Sequence, residues 1–501
     1  MTEITNPALT LKKDPPAWFR WLVLIFISLA MFGNYYIYDS ISPLAKTLIN
    51  QLHFTDENIG LLQGIYSFPN IIMVLIGGII IDRIGTKKAA LIFTILVLTG
   101  ALVTALQGNF VTMVIGRLIF GLGAESMIVA ITTVIAKWFK GKELSLAFGL
   151  NLTIARLGSF LALNSQAWGK DLYSNWQNPL WITVGAGVIA VVSIVVYYFV
   201  DLYSVKKYHL GKEGEQDKVV LSDVFSFKTM RVIIAFVLVP VALITFFYIG
   251  FIVMDSNIEN IMKFIVVVVL IFVFSFLNYR TFSKSFWFIT CLCVTFYSAM
   301  FPFQTFAINF FQDAHGATPA YAGFLSSLLT LSAMVLTPLF GFFSDIVGKR
   351  SLFMMFGSLI IIPVYLMMGY TDINLIIPMS IMGLAFSMVP AIMWPSVSLV
   401  VKPSKLGTAY GLMTMIQNVG LFVFNIMIGW ANQSSNAGPT NPSGYHLGMW
   451  IFSICGLLGL FFAFMLKRNE SGPNAYGLEY GSMHKEKLAA LKKRRAEMGK
   501  D

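Results

Sequence analysis

Apolar residues occur along the chain in runs of about twenty positions, and short polar stretches separate one run from the next. A bilayer core about 30 Å thick needs about 20 apolar residues for each helical crossing. Fourteen runs reach that length, so the pattern predicts an all-α polytopic membrane protein with fourteen transmembrane spans. The predicted spans are residues 17–40, 57–81, 88–107, 110–136, 144–168, 178–201, 229–254, 260–279, 285–311, 318–344, 351–369, 373–400, 407–431 and 446–466.

Composition and charge agree with a protein that lies in a lipid bilayer. Hydrophobic residues make up 57% of the 501 positions and charged residues only 12%, which is atypical of soluble globular domains. Thirty of the 35 Lys and Arg residues fall in the tails, the even-numbered loops and the adjoining helix ends. Because positive charge resists translocation, both termini are predicted to be cytoplasmic. The net charge of +11 then requires no nucleic-acid partner.

Two pairs of segments reveal an internal repeat. GIIIDRIGTKK at 78–88 and GFFSDIVGKR at 341–350 share the loop motif G-x-x-x-D-x-x-G followed by basic residues, at an offset of 263. AFGLNLTIARLG at 147–158 matches AYGLMTMIQNVG at 409–420, at an offset of 262. Two matches at nearly one offset indicate a duplicated six-helix bundle, a common plan among transporters.

The repeat defines the predicted domain organisation and a set of gating residues. We expect a six-helix bundle at 1–205, a linker with an inserted two-helix hairpin at 206–284, a second bundle at 285–468 and a basic cytoplasmic tail at 469–501. Glycines permit tight loops, and an aspartate there can pair with neighbouring helix ends. The loop residues expected to act in gating are Gly78, Asp82, Arg83, Gly85, Gly341, Asp345 and Gly348.

The duplicated loop motif resembles the hallmark of the major facilitator superfamily, and Arg117 in GRLIFGLG resembles its fourth-helix motif. Four further segments are similar to the lysosomal dipeptide carriers of that superfamily. They are ES at 125–126, WFKGKELSLAFGLNLTIARLGS at 138–159, WPSVSLVV at 394–401 and LGTAYGLMTMIQNVGL at 406–421. The resemblance implies a dipeptide substrate, alternating access between two rocking bundles, and facilitative uniport.

The predicted hairpin between the halves departs from this resemblance, because that family has twelve spans. Proton-coupled oligopeptide symporters also carry two extra helices between their halves. Their E-x-x-E-[R/K] motif is missing here, since the first predicted span contains no Glu. The likeness to those symporters is therefore interpreted as a convergent insertion.

Two opposite charges lie near the middle of predicted spans. Glu125 and Arg156 sit about midway along the fourth and fifth spans, where a charge costs at least about 2.5–3.5 kcal/mol. The offset of 262 relates them to Ser387 and Asn418, so the repeated scaffold itself requires neither charge.

We hypothesise that Arg156 binds the carboxylate of a zwitterionic dipeptide and that Glu125 binds its ammonium group. The matching residues play these parts in the family that the chain resembles. A permanent Glu125–Arg156 ion pair that only packs two helices is the alternative interpretation.

Further polar and aromatic residues are candidates for secondary roles. Asp39 is a possible proton relay or, equally, an interfacial helix-end carboxylate, and Arg117 is expected to act in interhelical hydrogen bonding or gating. Ordinary packing is the competing interpretation for residues on spans equivalent to cavity-lining helices. These possible substrate contacts are Tyr35, Tyr38, Tyr297, Trp394, Gln304 and Asn418.

Several functions compete with a dipeptide uniporter. A proton-coupled symporter of peptides or organic anions uses the same charges, and a non-transporting scaffold or receptor is a third possibility. Because no nucleophile–base set, metal-ligand spacing or phosphate-binding motif is found, we expect neither an enzyme nor a cofactor or metal. We expect a functional monomer in a bacterial inner membrane, with the lysosomal membrane as the alternative location.

Overall fold

The computed structural model describes residues 15–139, 143–207, 282–402, 405–472, 475–481 and 483. The first half contains α1 (Ala17–Asp39), α2 (Ile41–Leu52), α3 (Asp56–Gly64), α4 (Ser67–Ile84), α5 (Thr86–Leu106), α6 (Phe110–Phe139), α7 (Leu144–Leu163), α8 (Ser165–Trp168) and α9 (Gln177–Lys207). The second half contains α10 (Lys284–His315), α11 (Pro319–Val347), α12 (Arg350–Tyr370), α13 (Ile376–Val400), α14 (Leu406–Ser434) and α15 (His446–Glu470).

Eleven helical segments in the described residues are long and apolar enough to cross a membrane. They coincide with eleven of the predicted spans, so the all-α, multi-pass membrane fold is confirmed. The predicted span at 57–81 is formed by α3 and α4, which a turn at Ile65 and Tyr66 separates. The spans predicted at 229–254 and 260–279 lie outside the described residues, and the count of fourteen stays a prediction.

The ends of two predicted spans have identifiable local causes in the structure. Helix α1 continues almost directly into α2, because Ser40 keeps right-handed helical angles (φ −66°, ψ −23°). Pro43 lies in the first turn of α2, where its missing N–H breaks no helical hydrogen bond. The span predicted at 144–168 stops as α7 at Leu163, since Asn164 leaves helical geometry (φ −90°, ψ 10°) before the short α8 begins.

Helix packing repeats between the halves. In the first half, α1 packs against α7 and α9, α5 packs against α6 and α9, and α4 packs against α6. In the second half, α10 packs against α14 and α15, α12 packs against α13 and α15, and α11 packs against α13. These are the same five pairings shifted by one repeat, which supports the duplication that the motifs indicated.

Small residues bring the two halves into close contact. Helices α3 and α4 pack on α14, α7 packs on α11, and α2 packs on α10. A Cβ atom added to Gly60 would lie 2.4 Å from the carbonyl oxygen of Asn425, and one added to Gly429 would lie 2.5 Å from that of Asp56. The backbones of α3 and α14 therefore touch, as small residues allow in membrane helices.

Polar contacts close one end of the boundary between the halves, which we call the closed end. Ser42 donates a hydrogen bond of 2.7 Å to the carbonyl of Gln304, and Lys46 forms an ion pair with Asp313. The opposite end carries the two loop motifs. There, Cβ atoms added to Gly78 and Gly341 would meet nothing within 4 Å, so no other described element packs against these two glycines.

Candidate functional site

A cavity of about 470 Å³ lies between the two halves, within the usual size of small-molecule sites. Helices α1, α4, α6 and α7 of the first half line it together with α10, α13 and α14 of the second. Among the residues lining it, Glu125 and Arg156 carry the charges, and most of the others are aromatic or aliphatic. The structure thus brings together the two residues that the sequence selected at mid-span.

Glu125 and Arg156 face the cavity without pairing with each other. In the described part of the chain, no hydrogen bond or ion pair within 4.0 Å joins the two side chains. The Arg156 guanidinium instead lies 5.2 Å from the centre of the Tyr35 ring and 5.5 Å from that of Phe386. The permanent ion pair considered as an alternative is absent from this conformation, and both charges are left available to a ligand.

Local packing of α7 against α1 positions Arg156. The Asn151 side chain donates a hydrogen bond of 2.9 Å to Ser28 Oγ, and a Cβ atom added to Gly158 would lie 2.3 Å from the carbonyl oxygen of Phe32. Gly158, two residues after Arg156, therefore allows the backbone of α7 to touch the backbone of α1. This contact fixes the guanidinium beside Tyr35, on the cavity face of α1.

Glu125 is positioned by the packing of α6 against α4. Ser126 donates a hydrogen bond of 3.1 Å to the carbonyl of Met73, and Gly77 provides room for the Ser126 side chain. Glu125 lies near Tyr35 and Tyr66, which line the same cavity. Tyr35 also lies near Arg156, so the cavity face of α1 is close to both charges.

Aromatic residues of the second half form the opposite wall. Trp394 Nε1 donates a hydrogen bond of 2.9 Å to the Tyr297 hydroxyl, and the Tyr410 hydroxyl donates one of 3.1 Å to the Trp394 carbonyl. The Phe301 ring stacks on Tyr297 with a centroid distance of 5.4 Å and meets Tyr38 edge-on at 6.2 Å. Tyr38, Tyr297 and Trp394, predicted as possible substrate contacts, all line the cavity.

Two other predicted contacts lie away from the cavity lining. Asn418 is fully buried and donates a hydrogen bond of 3.0 Å to the Thr414 carbonyl, while Gln304 lies beside Ser42 at the closed end. Ser387, the counterpart of Glu125 in the repeat, is also fully buried and bonds the Gly383 carbonyl at 2.7 Å. The second half therefore offers no charge at the positions equivalent to Glu125 and Arg156.

The cavity face of α14 includes Gln417, which the sequence interpretation missed. Each residue along a helix turns by about 100°, so the neighbour of Asn418 faces a different direction. A detectable signal exists, because Tyr410, Thr414, Gln417 and Leu421 follow the spacing of one helical face and all line the cavity.

Arg117 lies beside the site and holds helix ends together. It is buried and donates hydrogen bonds to the carbonyls of Ile37 at 3.1 Å, Leu62 at 3.2 Å and Tyr38 at 3.4 Å. A fourth bond of 3.0 Å reaches Gln63 Oε1. These bonds join the end of α1 to the end of α3, just before the turn that places Tyr66 in the cavity.

Asp39 is another acidic side chain within the membrane region. It is 6% exposed and lies near Ser159 on α7. Its carboxylate interacts electrostatically with Arg156 and Arg117. Asp39 is not among the residues that line the cavity.

The two loop motifs contain the tight turns at glycine that the sequence predicted. Gly85 and Gly348 adopt positive φ angles of 81° and 74° where α4 and α11 end, a geometry that favours glycine. Asp345 accepts a hydrogen bond of 2.6 Å from Arg350. Arg83 is exposed at the same end of the molecule.

A model of the family described as Major Facilitator Superfamily matches residues 24–308 and 288–495. The chain belongs to the major facilitator superfamily. The family and the eleven apolar helices establish a membrane-embedded transporter with a small-molecule substrate.

Relatives in the major facilitator superfamily extend over most of the chain. The lysosomal dipeptide transporter MFSD1 of Danio rerio is 32% identical over 425 residues, covering 82% of this chain and 80% of that protein. The protein of the same name from Homo sapiens is 28% identical over 490 residues, covering 94% and 90%. A hexuronate transporter of Escherichia coli is 25% identical over 181 residues, covering 36% and 41%.

Solved superfamily structures share the fold. A bacterial homologue of the human lysosomal transporter Spinster, in an inward-facing and unoccupied conformation, superposes with a TM-score of 0.63 and 16% identity, covering 93% of this chain and 100% of that one. The peptide transporter POT in complex with sulfate gives 0.62 and 15%, covering 90% and 94%.

Proposed function

We propose that this protein transports dipeptides by alternating access, with Glu125 and Arg156 holding the two termini of the substrate. The observation that carries the proposal is that one cavity between the halves contains an anion and a cation that do not pair with each other. A zwitterion whose charges are a few ångströms apart satisfies both. The names of relatives from Danio rerio and Homo sapiens support the same substrate class.

Residue chemistry assigns the orientation of the substrate. The planar guanidinium of Arg156 matches a carboxylate through two parallel hydrogen bonds, and the Glu125 carboxylate accepts from an ammonium group. An extended chain spans about 3.3–3.6 Å for each residue, so two residues separate the terminal charges by only a few ångströms. Free space among the aromatic rings then accommodates different side chains, and selection acts on length more than on side-chain identity.

The two ends of the cavity support alternating access. The Lys46–Asp313 ion pair and the Ser42–Gln304 hydrogen bond shut the closed end, and the loop-motif end is the side of entry or release in this conformation. We place both chain termini and the loop-motif end in the cytoplasm, because the basic residues concentrate there. The protein then works as a monomer in a bacterial inner membrane, with a lysosomal membrane as the alternative.

Facilitative uniport is the mode that the family resemblance favours. Proton-coupled transport of peptides or organic anions is the second candidate, supported by Asp39, a buried carboxylate near two arginines. The partial match to a hexuronate transporter supports an organic anion as the alternative substrate. In that version Arg156 binds the carboxylate of the substrate, and Glu125 or Asp39 takes the proton.

Reconstitution into liposomes tests the proposal. We expect uptake of labelled alanyl-alanine by the wild type, loss of at least tenfold in Glu125→Gln and Arg156→Gln, and normal uptake in the surface controls Lys170→Gln and Asp171→Asn. Uptake that is unchanged by an imposed proton gradient identifies uniport, and acceleration by the gradient identifies symport. Normal dipeptide uptake by both cavity variants, or transport restricted to organic anions, would contradict the dipeptide clamp.

A further inference from the structure

Asn34 presents a buried polar group at the cavity that no contact within the protein accounts for. Its side chain lines the cavity and is only 3% exposed. Its Oδ1 atom has no hydrogen-bond partner among the residues that the structure describes. Buried side-chain acceptors usually have a partner, so an acceptor without one at the wall of a binding cavity requires an explanation.

Asn34 lies on α1 beside a residue that is close to both charges and lines the same cavity. It precedes Tyr35, whose ring lies 5.2 Å from the Arg156 guanidinium and which also lies near Glu125. One helical turn further, Tyr38 lines the same cavity. A ligand that bridges Glu125 and Arg156 therefore shares the cavity with the residues of α1 that line it, Asn34 among them.

A dipeptide carries one hydrogen-bond donor between its charged ends, the peptide N–H. Glu125 and Arg156 account for its two termini, so this N–H group needs a further acceptor from the cavity wall. Because the cavity wall is largely aromatic and aliphatic, an unbonded amide there would lose its hydration without compensation. Asn34 Oδ1 is an acceptor that lacks a donor, and the peptide group needs an acceptor.

We infer that Asn34 accepts a hydrogen bond from the peptide N–H of the substrate and thereby distinguishes a dipeptide from other zwitterions of similar length. This inference rests on the proposed dipeptide function and adds a residue that reads the peptide bond itself. Glu125 and Arg156 recognise charge and spacing, which an ω-amino acid of suitable length also satisfies. Asn34 supplies the discrimination that the two charges lack.

A ligand that lacks only the N–H group tests this role. In the ketomethylene isostere of alanyl-alanine, a methylene replaces the peptide N–H while both termini and the spacing are kept. We expect wild-type protein in nanodiscs to bind alanyl-alanine about fivefold more tightly than the isostere, as measured by calorimetry, since that is the usual contribution of one neutral hydrogen bond. Asn34→Leu should bind both ligands with the affinity of the wild type for the isostere.

Controls separate recognition from folding. Leucine has nearly the shape of asparagine and removes the acceptor that lacks a partner, so the melting temperature of Asn34→Leu should be no lower than that of the wild type. Asn34→Ala is the second variant and should lose the same discrimination. Thr94→Val is the control outside the cavity, because this buried hydroxyl bonds the Ala90 carbonyl at 2.7 Å. It should keep the wild-type ratio of the two affinities.

Each remaining outcome has a definite meaning. If wild-type protein binds both ligands equally, or if Asn34→Leu weakens both by the same factor, Asn34 does not read the peptide N–H and the inference is overturned. The dipeptide function survives that result, because alanyl-alanine still binds. If wild-type protein binds neither ligand, the proposed function and this inference are both overturned.

Discussion

The guanidinium of Arg156 on one half of the molecule lies 5.5 Å from the centre of the Phe386 ring on the other half. Tyr35, on the same half as Arg156, holds the guanidinium from a second direction at 5.2 Å. The cation at the cavity therefore contacts aromatic rings from both halves. A ligand that binds Arg156 acts at a contact that changes when the halves move.

Phe386→Leu tests this contact. A cation–π interaction contributes about 0.5–2 kcal/mol, and the ring preorganises the guanidinium for a carboxylate. We expect the Kd for alanyl-alanine to rise by about threefold to tenfold in Phe386→Leu, measured by calorimetry. Phe386→Tyr keeps the ring face and should bind within twofold of the wild type. Equal losses in both variants would show that the cation–π contact is not responsible.

Arg117→Leu should destabilise the first half without removing a group from the cavity. The substitution removes four hydrogen bonds of a buried side chain, three of them to the carbonyls of Ile37, Tyr38 and Leu62. Ser40 and Gln63 still donate to the first two carbonyls. The Leu62 carbonyl and Gln63 Oε1 lose their side-chain donor, and each such loss costs about 1–3 kcal/mol. We expect a fall of several degrees in the melting temperature of the detergent-solubilised protein. Gln63→Leu removes one of the four bonds of Arg117 and should cause a smaller fall. A melting temperature like that of the wild type for Arg117→Leu would refute this structural role.

Hydropathy and sequence repeats predicted the helices well because lipid imposes simple rules on length and polarity. Mid-span charges were equally visible, since Glu125 and Arg156 are costly wherever they face lipid. The direction of a neutral side chain is decided by helix rotation and local packing. Asn418 and Gln417 are adjacent in the sequence, yet Asn418 is buried against Thr414 and Gln417 lines the cavity. Both are neutral and polar, so their cost of burial does not indicate which of them faces the cavity.

Long-range packing also produced features that the sequence left undetermined. The continuation of α1 into α2 depends on Ser40 staying helical and on contacts between α2 and α10. That Asn34 Oδ1 lacks a hydrogen-bond donor among the described residues is a property of the folded arrangement. From the sequence alone, an asparagine within an apolar run is expected to bond a neighbouring helix. Satisfaction of a buried polar group is visible only once its neighbours are known.

Glu470→Ala should release the segment that follows α15. The Glu470 carboxylate is buried and accepts hydrogen bonds from the backbone N–H groups of Tyr476 at 2.8 Å, Gly477 at 3.2 Å and Leu478 at 3.4 Å. Leu478 in turn contacts the second loop motif, because its carbonyl accepts a hydrogen bond of 3.2 Å from the backbone N–H of Arg350. We expect faster deuterium exchange at 476–478 and 349–351 in Glu470→Ala. Ser471→Ala, at an exposed neighbouring position, should leave exchange unchanged.

Asp56 should make the closed end sensitive to pH. Burial, followed by repulsion from Asp313, raises the pKa of Asp56 from 3.8 to about 7. The groups around it include Asp313, which pairs with Lys46 and accepts from the Tyr445 hydroxyl at 2.8 Å, while the Asp56 backbone N–H donates to Gln433 at 3.4 Å. A carboxyl whose pKa is raised favours its protonated form in this environment, so acid stabilises the closed end.

The direction of the pH effect follows from proton linkage. When the closed end opens and Asp56 becomes hydrated, its pKa returns toward 3.8, so the closed conformation binds more protons between about pH 4 and 7. The ratio of closed to open molecules should fall by at most about tenfold for each pH unit across that window and stay level above it. Spin labels at Gln51 and Thr371, both exposed and on opposite halves, report the distance. Asp56→Asn should abolish this dependence and keep the end closed at pH 8, whereas exposed Asp372→Asn should leave it intact. A pH response that persists in Asp56→Asn would assign the effect to another group, such as His53, His315 or His446.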